Sequence, residues 1–459
     1  MISLLTVSRR AARATIYWLV IGFSVASLTW NGMVDPLRSK QFGQDLPYFY
    51  VAGQLWNEGL DPYDPTLFQP RYEEVVLARR AAVDAPPGEA PKQAGYVYPP
   101  PTAVLHSLLA RLPYEAAYAT MMAINLALLL ICLWLLGLVL RRFRTICLAE
   151  IALVAALGNT GFARSDLKTG ETSILACALV FATFILSSSK YRNWSGMVLG
   201  LVALKPSFVP FYLAYYAFKK SFLLTFTCIA TGIALVLLPL LVTHRSITTT
   251  AIHYAQMLQR YLSNPAQDPS PFVANGVGLI NLNPLVNRLL NTTSPATAVV
   301  SWMIVLVLCV FAVVLCLRSR STPLNDLLDF SLVSVISLLA VTHRHYDHFL
   351  LFPGIMYLYV QAQSRTDENS RRRWLTFVVA IVVALVLPSD ASVRISEGYP
   401  GVWDAYLWRL FAPFQSWAVL AVAGALFWLK ARQALPFGVV RGGLEQATMA
   451  SRPSESPSG

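Results

Sequence analysis

The sequence predicts an all-α polytopic membrane protein with a bundle of about ten to twelve transmembrane helices. The 459 residues are 56% hydrophobic and only 13% charged, which is too apolar for a soluble globular chain of this length. Long apolar runs recur from residues 16–30 to residues 410–429, as expected for successive spans. The basic residues cluster at the ends of those runs, where they are typical of topology signals. We therefore expect membrane lipids and no nucleic acid as partners.

The first apolar run, residues 16–30, follows Arg9, Arg10 and Arg13, and no small-residue cleavage site comes after it. This pattern indicates a retained first helix rather than a signal peptide. We divide the chain into a cytoplasmic N-terminus at 1–15, a transmembrane domain at 16–430 and a cytoplasmic tail at 431–459. The domain includes a first outer loop at 31–113, and the tail is predicted to be disordered because its composition does not support a buried core.

Charge predicts the orientation of the bundle. With the N-terminus in the cytoplasm, 20 of the 36 lysines and arginines fall on the cytoplasmic side, mostly in short loops, in agreement with the positive-inside rule. All six histidines then lie on the outer side or at its membrane edge. The long connections also lie outside, where functional residues are usually found. We expect a bacterial cytoplasmic membrane protein with both termini inside and its chemistry on the outer face.

Two short apolar runs, 194–204 and 207–218, meet at Lys205-Pro206. Each is too short to cross a membrane alone, so a re-entrant hairpin and two broken helices both remain open. The ammonium group of Lys205 at such a tip could bind an anionic ligand within the depth of the membrane. A lysine that extends its head group toward water is the alternative interpretation.

Residues 45–59 predict a helix in the plane of the membrane interface. Its apolar stripe recurs at helical spacing and consists of Tyr48, Val51, Ala52, Leu55 and Trp56. Gly59 follows as the expected end of the helix. Asp45 stands at the start, where it is either a helix cap or a general base at the membrane surface, and the two roles are compatible.

Other polar residues of the outer side divide into structural and functional candidates. Asp61, Tyr63, Asp64 and Tyr98 lie among prolines and favour turn roles over catalysis. Between the third and fourth spans, we expect mostly solvated loop charges and retain only Arg164 as a functional candidate; the group comprises Arg164, Asp166, Lys168 and Glu171.

Residues 342–348 read Thr-His-Arg-His-Tyr-Asp-His between two apolar runs. Ionisable groups are costly near hydrocarbon, which favours a functional role. The alternative is a structural belt at the membrane interface, in which the charged ends of the side chains extend into water. His343, His345 and Asp347 are the residue types of a metal site, but Arg344 between them disfavours a cation. Arginine with histidine suits an oxyanion, since both donate hydrogen bonds.

No Walker loop, dinucleotide fingerprint, nucleophile elbow or zinc-protease motif occurs in the sequence. An outer carboxylate combined with phosphate-type donors suits transfer of a sugar from a lipid phosphate. That reaction needs a base and a positive charge beside the departing phosphate, and we expect neither a metal nor a cofactor. A glycolipid transporter or flippase is the first alternative. An outer-face glycan ligase or polymerase with a diphosphate-linked donor is the second.

Several motifs, in this order, resemble glycosyltransferase family 87, the polyprenol-phosphate-mannose-dependent mannosyltransferases of the GT-C superfamily. They are the loop from Asp45 to Tyr63-Asp64, Tyr98-Pro-Pro, Gly170-Glu-Thr, the Gly-Leu-Val-Ala-Leu-Lys205-Pro206 run and the His-rich junction. The resemblance covers most of the chain. At one position, Glu171, the family usually has glutamine.

The resemblance implies a GT-C-like bundle and an inverting transfer of a hexose, by resemblance mannose, from a polyprenyl-phosphate donor to a lipid-linked or glycan acceptor. It implies Asp45 as the general base and Lys205, Arg344 and His345 as donor-phosphate contacts, to which we add Arg164. The candidate substrate contacts are His343, His348, Tyr63 and Tyr98.

Overall fold

The computed structural model describes residues 2–38, 45–81, 95–262, 279–292, 294–319, 321–341, 343–387 and 413–434. Helices predominate in this part of the chain, and the prediction of an all-α polytopic membrane protein is confirmed. Six helical segments among the described residues are long and apolar enough to cross a membrane: Ala11–Arg38, Tyr114–Arg141, Phe222–Val242, Pro295–Arg318, Pro323–Ala340 and Phe414–Ala434. The total of ten to twelve spans stays a prediction.

The first part of the chain combines one long helix with a set of shorter ones. Helix α1 continues through a π-helical turn (Trp30–Val34) into α2. The predicted first outer loop, which we expected to carry amphipathic helices, contains three further helices. The bounds are α1 (Ile2–Thr29), α2 (Asp35–Arg38), α3 (Leu46–Asn57), α4 (Pro65–Ala81) and α5 (Pro100–Leu109). The sequence patterns located α3 but neither α4 nor α5. The prolines of α5 fall in its first turn, where a missing N–H costs no helical hydrogen bond.

Fourteen further helices follow among the described residues. They are α6 (Tyr114–Arg141), α7 (Leu148–Gly158), α8 (Gly161–Thr169), α9 (Ser173–Ser187), α10 (Arg192–Leu201), α11 (Val209–Phe218), α12 (Phe222–Val242), α13 (Ile247–Leu262), α14 (Leu282–Leu290), α15 (Pro295–Arg318), α16 (Pro323–Ala340), α17 (Phe352–Gln363), α18 (Glu368–Val386) and α19 (Phe414–Ala434). Helix α19 includes the first residues of the predicted tail, and residues 435–459 lie outside the described part.

We call the end of the bundle that carries α3, α4 and α5 the loop end. Hydrogen bonds across the bundle assign other helix termini to it: Arg245, after α12, donates to Leu60 O at 2.6 Å, and Arg164 of α8 donates to Val386 O at 2.7 Å. At the opposite end, Lys430 near the end of α19 pairs with Asp329 near the start of α16.

Helices α10 and α11 form a re-entrant hairpin. Arg192, at the start of α10, donates to Ser221 Oγ just after α11 at 2.9 Å, and Tyr216 OH in α11 lies 3.3 Å from Ser187 Oγ at the end of α9. The hairpin therefore begins and ends at the opposite end of the bundle. Each arm is ten residues long, or about 15 Å, roughly half of a hydrocarbon core. The tip at Lys205 points toward the loop end.

Two short 3₁₀ segments, Val202–Leu204 and Pro206–Phe208, flank Lys205 at this tip. Proline removes a backbone donor and disfavours helical geometry in the preceding residue. The backbone of Lys205 accordingly has φ −131° and ψ +80°, outside the helical region. The Lys205-Pro206 pair thus turns the hairpin.

Helix α3 confirms the predicted helix, with Gly59 just beyond its end at φ +76°. The environment differs from the prediction, because α3 is buried on nearly all sides between α4 and α5 instead of lying with one apolar stripe in an interface. At Gly53 the α5 backbone approaches closely: a Cβ there would lie 2.6 Å from His106 O. Because α5 packs against a second side of α3, residues outside the predicted apolar stripe, such as Phe49, are also buried.

The apolar core has two main parts. A large cluster fills the bundle and includes Leu135, Phe181, Phe330 and Tyr357. A second cluster, at the loop end, joins α3, α4 and α5 through aromatic residues such as Phe49, Tyr63 and Tyr96. The loop end is therefore a packed structure that can hold side chains at fixed positions.

Close packing of α10 on α12 predicts a stability effect. A Cβ at Gly200 would lie 2.5 Å from Thr231 Cβ and 2.8 Å from Cys228 O. We expect Gly200→Val to lower the free energy of unfolding by about 1–3 kcal/mol, seen as a lower thermal midpoint of the purified protein in detergent. Gly137→Val is the matched control, since a Cβ at Gly137 meets nothing within 4 Å. Equal midpoints in the two variants would contradict the packing.

Candidate functional site

The tip of the re-entrant hairpin meets two other segments at a buried ion pair. Lys205 Nζ lies 2.5 Å from Asp347 Oδ1, and both residues are buried. Ser173, at the start of α9, receives a hydrogen bond from Lys205 Nζ at 2.5 Å and donates to Asp347 Oδ1 at 2.9 Å. Asp347 belongs to the 3₁₀ segment His345–Leu351. The pair joins the hairpin, α9 and the His-rich junction at one point.

Glu171 extends this network. Its carboxylate is fully buried, lies 3.6 Å from Lys205 Nζ, and accepts the Tyr98 hydroxyl at 2.8 and 2.9 Å. Thr172 Oγ1 is a third neighbour at 3.3 Å. Buried carboxylates need such partners to remain charged. Tyr98 and Lys205 therefore hold the carboxylate of Glu171 in place.

Asp45 stands directly before α3 and beside the Thr169–Glu171 turn. Its backbone N–H donates to Thr169 O at 3.2 Å, and a Cβ at Gly170 would lie 3.1 Å from Leu46 Cβ. Although Asp45 holds the N-cap position, its carboxylate makes no capping hydrogen bond. The interpretation as a helix cap is therefore wrong for the side chain, which stays available for another role.

The electrostatic surroundings make Asp45 an unusual carboxylic acid. Loss of hydration on burial and the negative charge of Glu171 raise the pKa of Asp45 to about 7, while the positive charges of Arg344 and Lys205 oppose this rise. Burial raises the pKa of Tyr48 and Tyr261, and the nearby negative charge of Asp45 adds to the rise in both. A carboxylate with a pKa near neutrality is a stronger base than an ordinary aspartate.

A cavity of about 470 Å³ opens beside the ion pair, within the size range of small-molecule sites. Its charged wall contains Tyr98, Lys205, Arg344 and Asp347. The remaining wall is largely apolar and aromatic, and it is built from α13 and α15 with the end of α16; it includes Tyr254, Leu258, Tyr261, Leu262, Trp302, Val305 and Leu339. Asp45 itself does not line the cavity, but the two cations that act on its pKa do.

A short ladder sets the position of Arg344. Residues Leu279–Ile280 (β1) pair antiparallel with His343–Arg344 (β2), with Leu279 opposite Arg344. The half-buried Arg344 side chain hydrogen-bonds to Tyr261 of α13. These contacts keep the guanidinium at the cavity wall.

Arg164 lies away from this cavity. Its guanidinium donates to Asn159 O at 2.9 Å, Asn159 Oδ1 at 3.0 Å and Val386 O at 2.7 Å, and reaches Ser27 Oγ at 3.3 Å. These bonds tie α8 to α1 and to the end of α18. The structure therefore does not bring Arg164 together with Lys205 and Arg344, and it gives Arg164 a structural function.

The other candidates occupy varied environments. Tyr98 lines the cavity, whereas Tyr63 is fully buried and supports it by donating to Tyr98 O at 2.6 Å. His348 is buried against Phe162, with ring centroids 5.5 Å apart. For His343 and His345 the backbone is described, but the side chains lie outside what the structure describes.

Turn roles are confirmed for the aspartates of the first loop. Asp61 Oδ1 accepts the Tyr63 N–H at 3.0 Å, and its Oδ2 pairs with His253 Nδ1 of α13 at 2.7 Å. Asp64 Oδ1 accepts the Thr66 N–H at 2.8 Å at the start of α4.

The expectation of solvated charges between the third and fourth spans is wrong for two residues. Asp166 and Glu171 are both fully buried. Asp166 Oδ2 accepts the Ile174 N–H at 3.1 Å, at the start of α9, and burial and the nearby Glu171 raise the pKa of Asp166 well above its usual range. A short charged loop looks solvated in sequence, and only the packing of α8 against its neighbours removes it from water.

Sequence reasoning also overlooked two residues that shape the site. Asp347 was considered only as a metal ligand, although an acid beside a buried lysine is a usual ion-pair partner. Tyr261 carries no local sequence signal, because its contact with Arg344 depends on how α13 packs. In chemical terms, the assembled site offers a carboxylate of raised pKa, two cations and an extended apolar wall.

Comparison with known protein families gives one match. The model of glycosyltransferase family 87 matches residues 96–342, which is more than half of the chain and includes Glu171, Lys205 and the α13 and α15 walls. No match is found among curated proteins or among solved structures.

Proposed function

We propose a specific transfer reaction for this chain, which belongs to glycosyltransferase family 87 and is a multi-pass membrane glycosyltransferase. In this proposal a hexose, mannose by the resemblance of its motifs, moves from a polyprenyl-phosphate donor to a hydroxyl of a lipid or glycan acceptor. The anomeric configuration inverts, and Asp45 acts as the general base.

One observation carries the proposal: Asp45 packs against the Thr169–Glu171 turn, Glu171 of that turn lies 3.6 Å from Lys205, and Lys205 and Arg344 line the 470 Å³ cavity. Transfer from a sugar phosphate needs a base on one side of the anomeric carbon and positive charge on the other. Asp45 supplies the first, and Lys205 with Arg344 supplies the second.

The bond changes are those of a single displacement. The acceptor oxygen attacks the anomeric carbon as Asp45 takes its proton, and the bond from that carbon to the phosphate oxygen breaks with its electron pair on the phosphate. Lys205 and Arg344 stabilise the departing lipid phosphate by charge-assisted hydrogen bonds. Attack opposite the leaving group accounts for inversion.

The apolar wall supports a lipid-linked donor. Leu258, Leu262, Trp302 and Val305 line the cavity beside its charged wall, and several are exposed at the side of the bundle, with Leu262 at 66% and Trp302 at 58%. A prenyl chain would lie against these side chains while its phosphate faces Arg344.

We further propose that the loop end is the outer face of a bacterial cytoplasmic membrane. Two features support this orientation. The basic residues concentrate at the other end under the positive-inside rule, and the loop end carries the longer connections. Donor and acceptor would then meet outside the cytoplasm.

Asp45→Asn tests the base directly. The amide keeps the shape of the side chain but does not take a proton, so we expect transfer from a polyprenyl-phosphate [³H]mannose donor in proteoliposomes to fall by about 10²- to 10⁴-fold. Asp64→Asn is the matched control, since Asp64 caps α4 in the same loop. Full activity of Asp45→Asn at normal protein abundance would refute the assignment.

The pH dependence of transfer tests the electrostatics of Asp45. Because the base acts when deprotonated and its pKa is raised to about 7, we expect the rate to fall as the pH drops through about 7. Glu171→Gln removes a charge that raises this pKa, so the acidic limb of the kcat/KM profile should move to lower pH. Arg344→Gln removes a charge that lowers it, and the limb should move to higher pH. If the acidic limb of the kcat/KM profile lies at the same pH in both variants, the charges of Glu171 and Arg344 do not act on the pKa of Asp45.

Removal of the cavity cations tests the phosphate contacts. A hydrogen bond to a charged group contributes about 1.5–3 kcal/mol, so Arg344→Ala should raise the KM for the lipid-phosphate donor about tenfold or more. Lys205→Ala should act in the same direction. Arg111→Ala, an exposed arginine at the loop end, is the control. If the KM for the donor is unchanged in both cavity variants, Arg344 and Lys205 do not bind the donor phosphate and have structural roles only.

A further inference from the structure

A second concave surface lies between α18 and α19, away from the candidate site. It is a groove of about 410 Å³. One wall contains Arg373, Trp374 and Phe377 of α18, and the other contains Leu420, Ala421, Gly424 and Ala425 of α19. A Cβ at Gly424 would meet nothing within 4 Å, so small side chains leave the groove open.

The rim of this groove carries positive charge that the described residues do not neutralise. Arg371 and Arg372 both pair with Glu368, but the next residue, the exposed Arg373, forms no ion pair with any described residue. Arg432, in the last turn of α19, lies over the Trp428 ring at 4.6 Å and likewise has no acidic partner in the described part of the chain.

Aromatic side chains connect these two arginines. The Trp374 and Trp428 ring centroids are 5.8 Å apart, and Trp374 packs edge-on against Phe377 at 6.0 Å. Tryptophan is typical of the boundary between head groups and hydrocarbon. Both arginines lie near the helix termini at the opposite end of the bundle, so the groove begins at a rim of mixed aromatic and cationic character.

The groove then extends along the helices into the apolar part of the bundle. Leu420 lies twelve residues before Arg432 in α19, which corresponds to about 18 Å along the helix axis. The surfaces between these points are apolar. This arrangement of a cationic rim above an apolar groove matches the shape of a phospholipid.

We propose that this groove is a binding site for an anionic phospholipid, with the head-group phosphate between Arg373 and Arg432 and an acyl chain against Gly424. The site is separate from the proposed transfer reaction and does not depend on it.

Charge complementarity selects this occupant over two others. A second copy of the chain in a two-fold interface would bring the same unneutralised arginines together. The tail, residues 435–459, contains two arginines and two glutamates and thus has no net charge to offer. An anionic head group brings negative charge to this rim, and its phosphate oxygens accept hydrogen bonds from arginine.

Native mass spectrometry of the full purified chain, titrated with phosphatidylglycerol or phosphatidylcholine, tests the site. We expect tighter binding of phosphatidylglycerol, and a loss of about fivefold in its affinity for each of Arg373→Gln and Arg432→Gln. Gly424→Leu should reduce binding of both lipids because it fills the groove. Thermal midpoints measured alongside show that each variant is folded.

Two controls separate this site from general lipid contact. Gly137→Leu adds the same side chain at another open position of a long helix, and Arg318→Gln removes an exposed arginine at the end of α15. Both should bind lipid like the unaltered protein. Equal binding of the two phospholipids, equal losses in the controls, or a dimer that Gly424→Leu separates would each overturn the proposal.

Discussion

The ion pair between Lys205 and Asp347 organises the loop end of this protein. The two residues are 142 positions apart and buried, and removal of one partner from such a pair typically costs about 3–5 kcal/mol. The pair forms only when the hairpin tip, the start of α9 and the His345–Leu351 segment converge. Ser173 and Glu171 complete it. The cavity and the position of Arg344 depend on this convergence.

The same network determines how charge is distributed in the site. Lys205 pairs with Asp347 and lies 3.6 Å from Glu171, and Arg344 hydrogen-bonds to Tyr261. Glu171 has a second effect, because its negative charge helps to raise the pKa of Asp45. One buried glutamate thus partly neutralises Lys205 and strengthens the proposed base.

Much of the fold could be predicted from local patterns. The helix after Asp45 and the glycine that follows it were expected from apolar spacing and turn chemistry, and both are present. The break at Lys205-Pro206 was also expected, but the choice between a hairpin and broken helices required the contact of Arg192 with Ser221. The predictions for the Asp45 cap and the solvated Glu171 were wrong, because each depended on neighbours far away in the sequence.

Composition and local patterns were enough to predict a helical membrane protein with ionisable residues grouped in a few segments. Hydrocarbon satisfies no backbone hydrogen bonds, so long apolar runs have few options besides helices. Which of those charges contact one another depends on the packing of the helices. Lys205 pairs with Asp347, Glu171 lies beside Tyr98, and Arg164 instead ties helices together. Such partners are set by the packing of helices distant in sequence, and no local pattern encodes that packing.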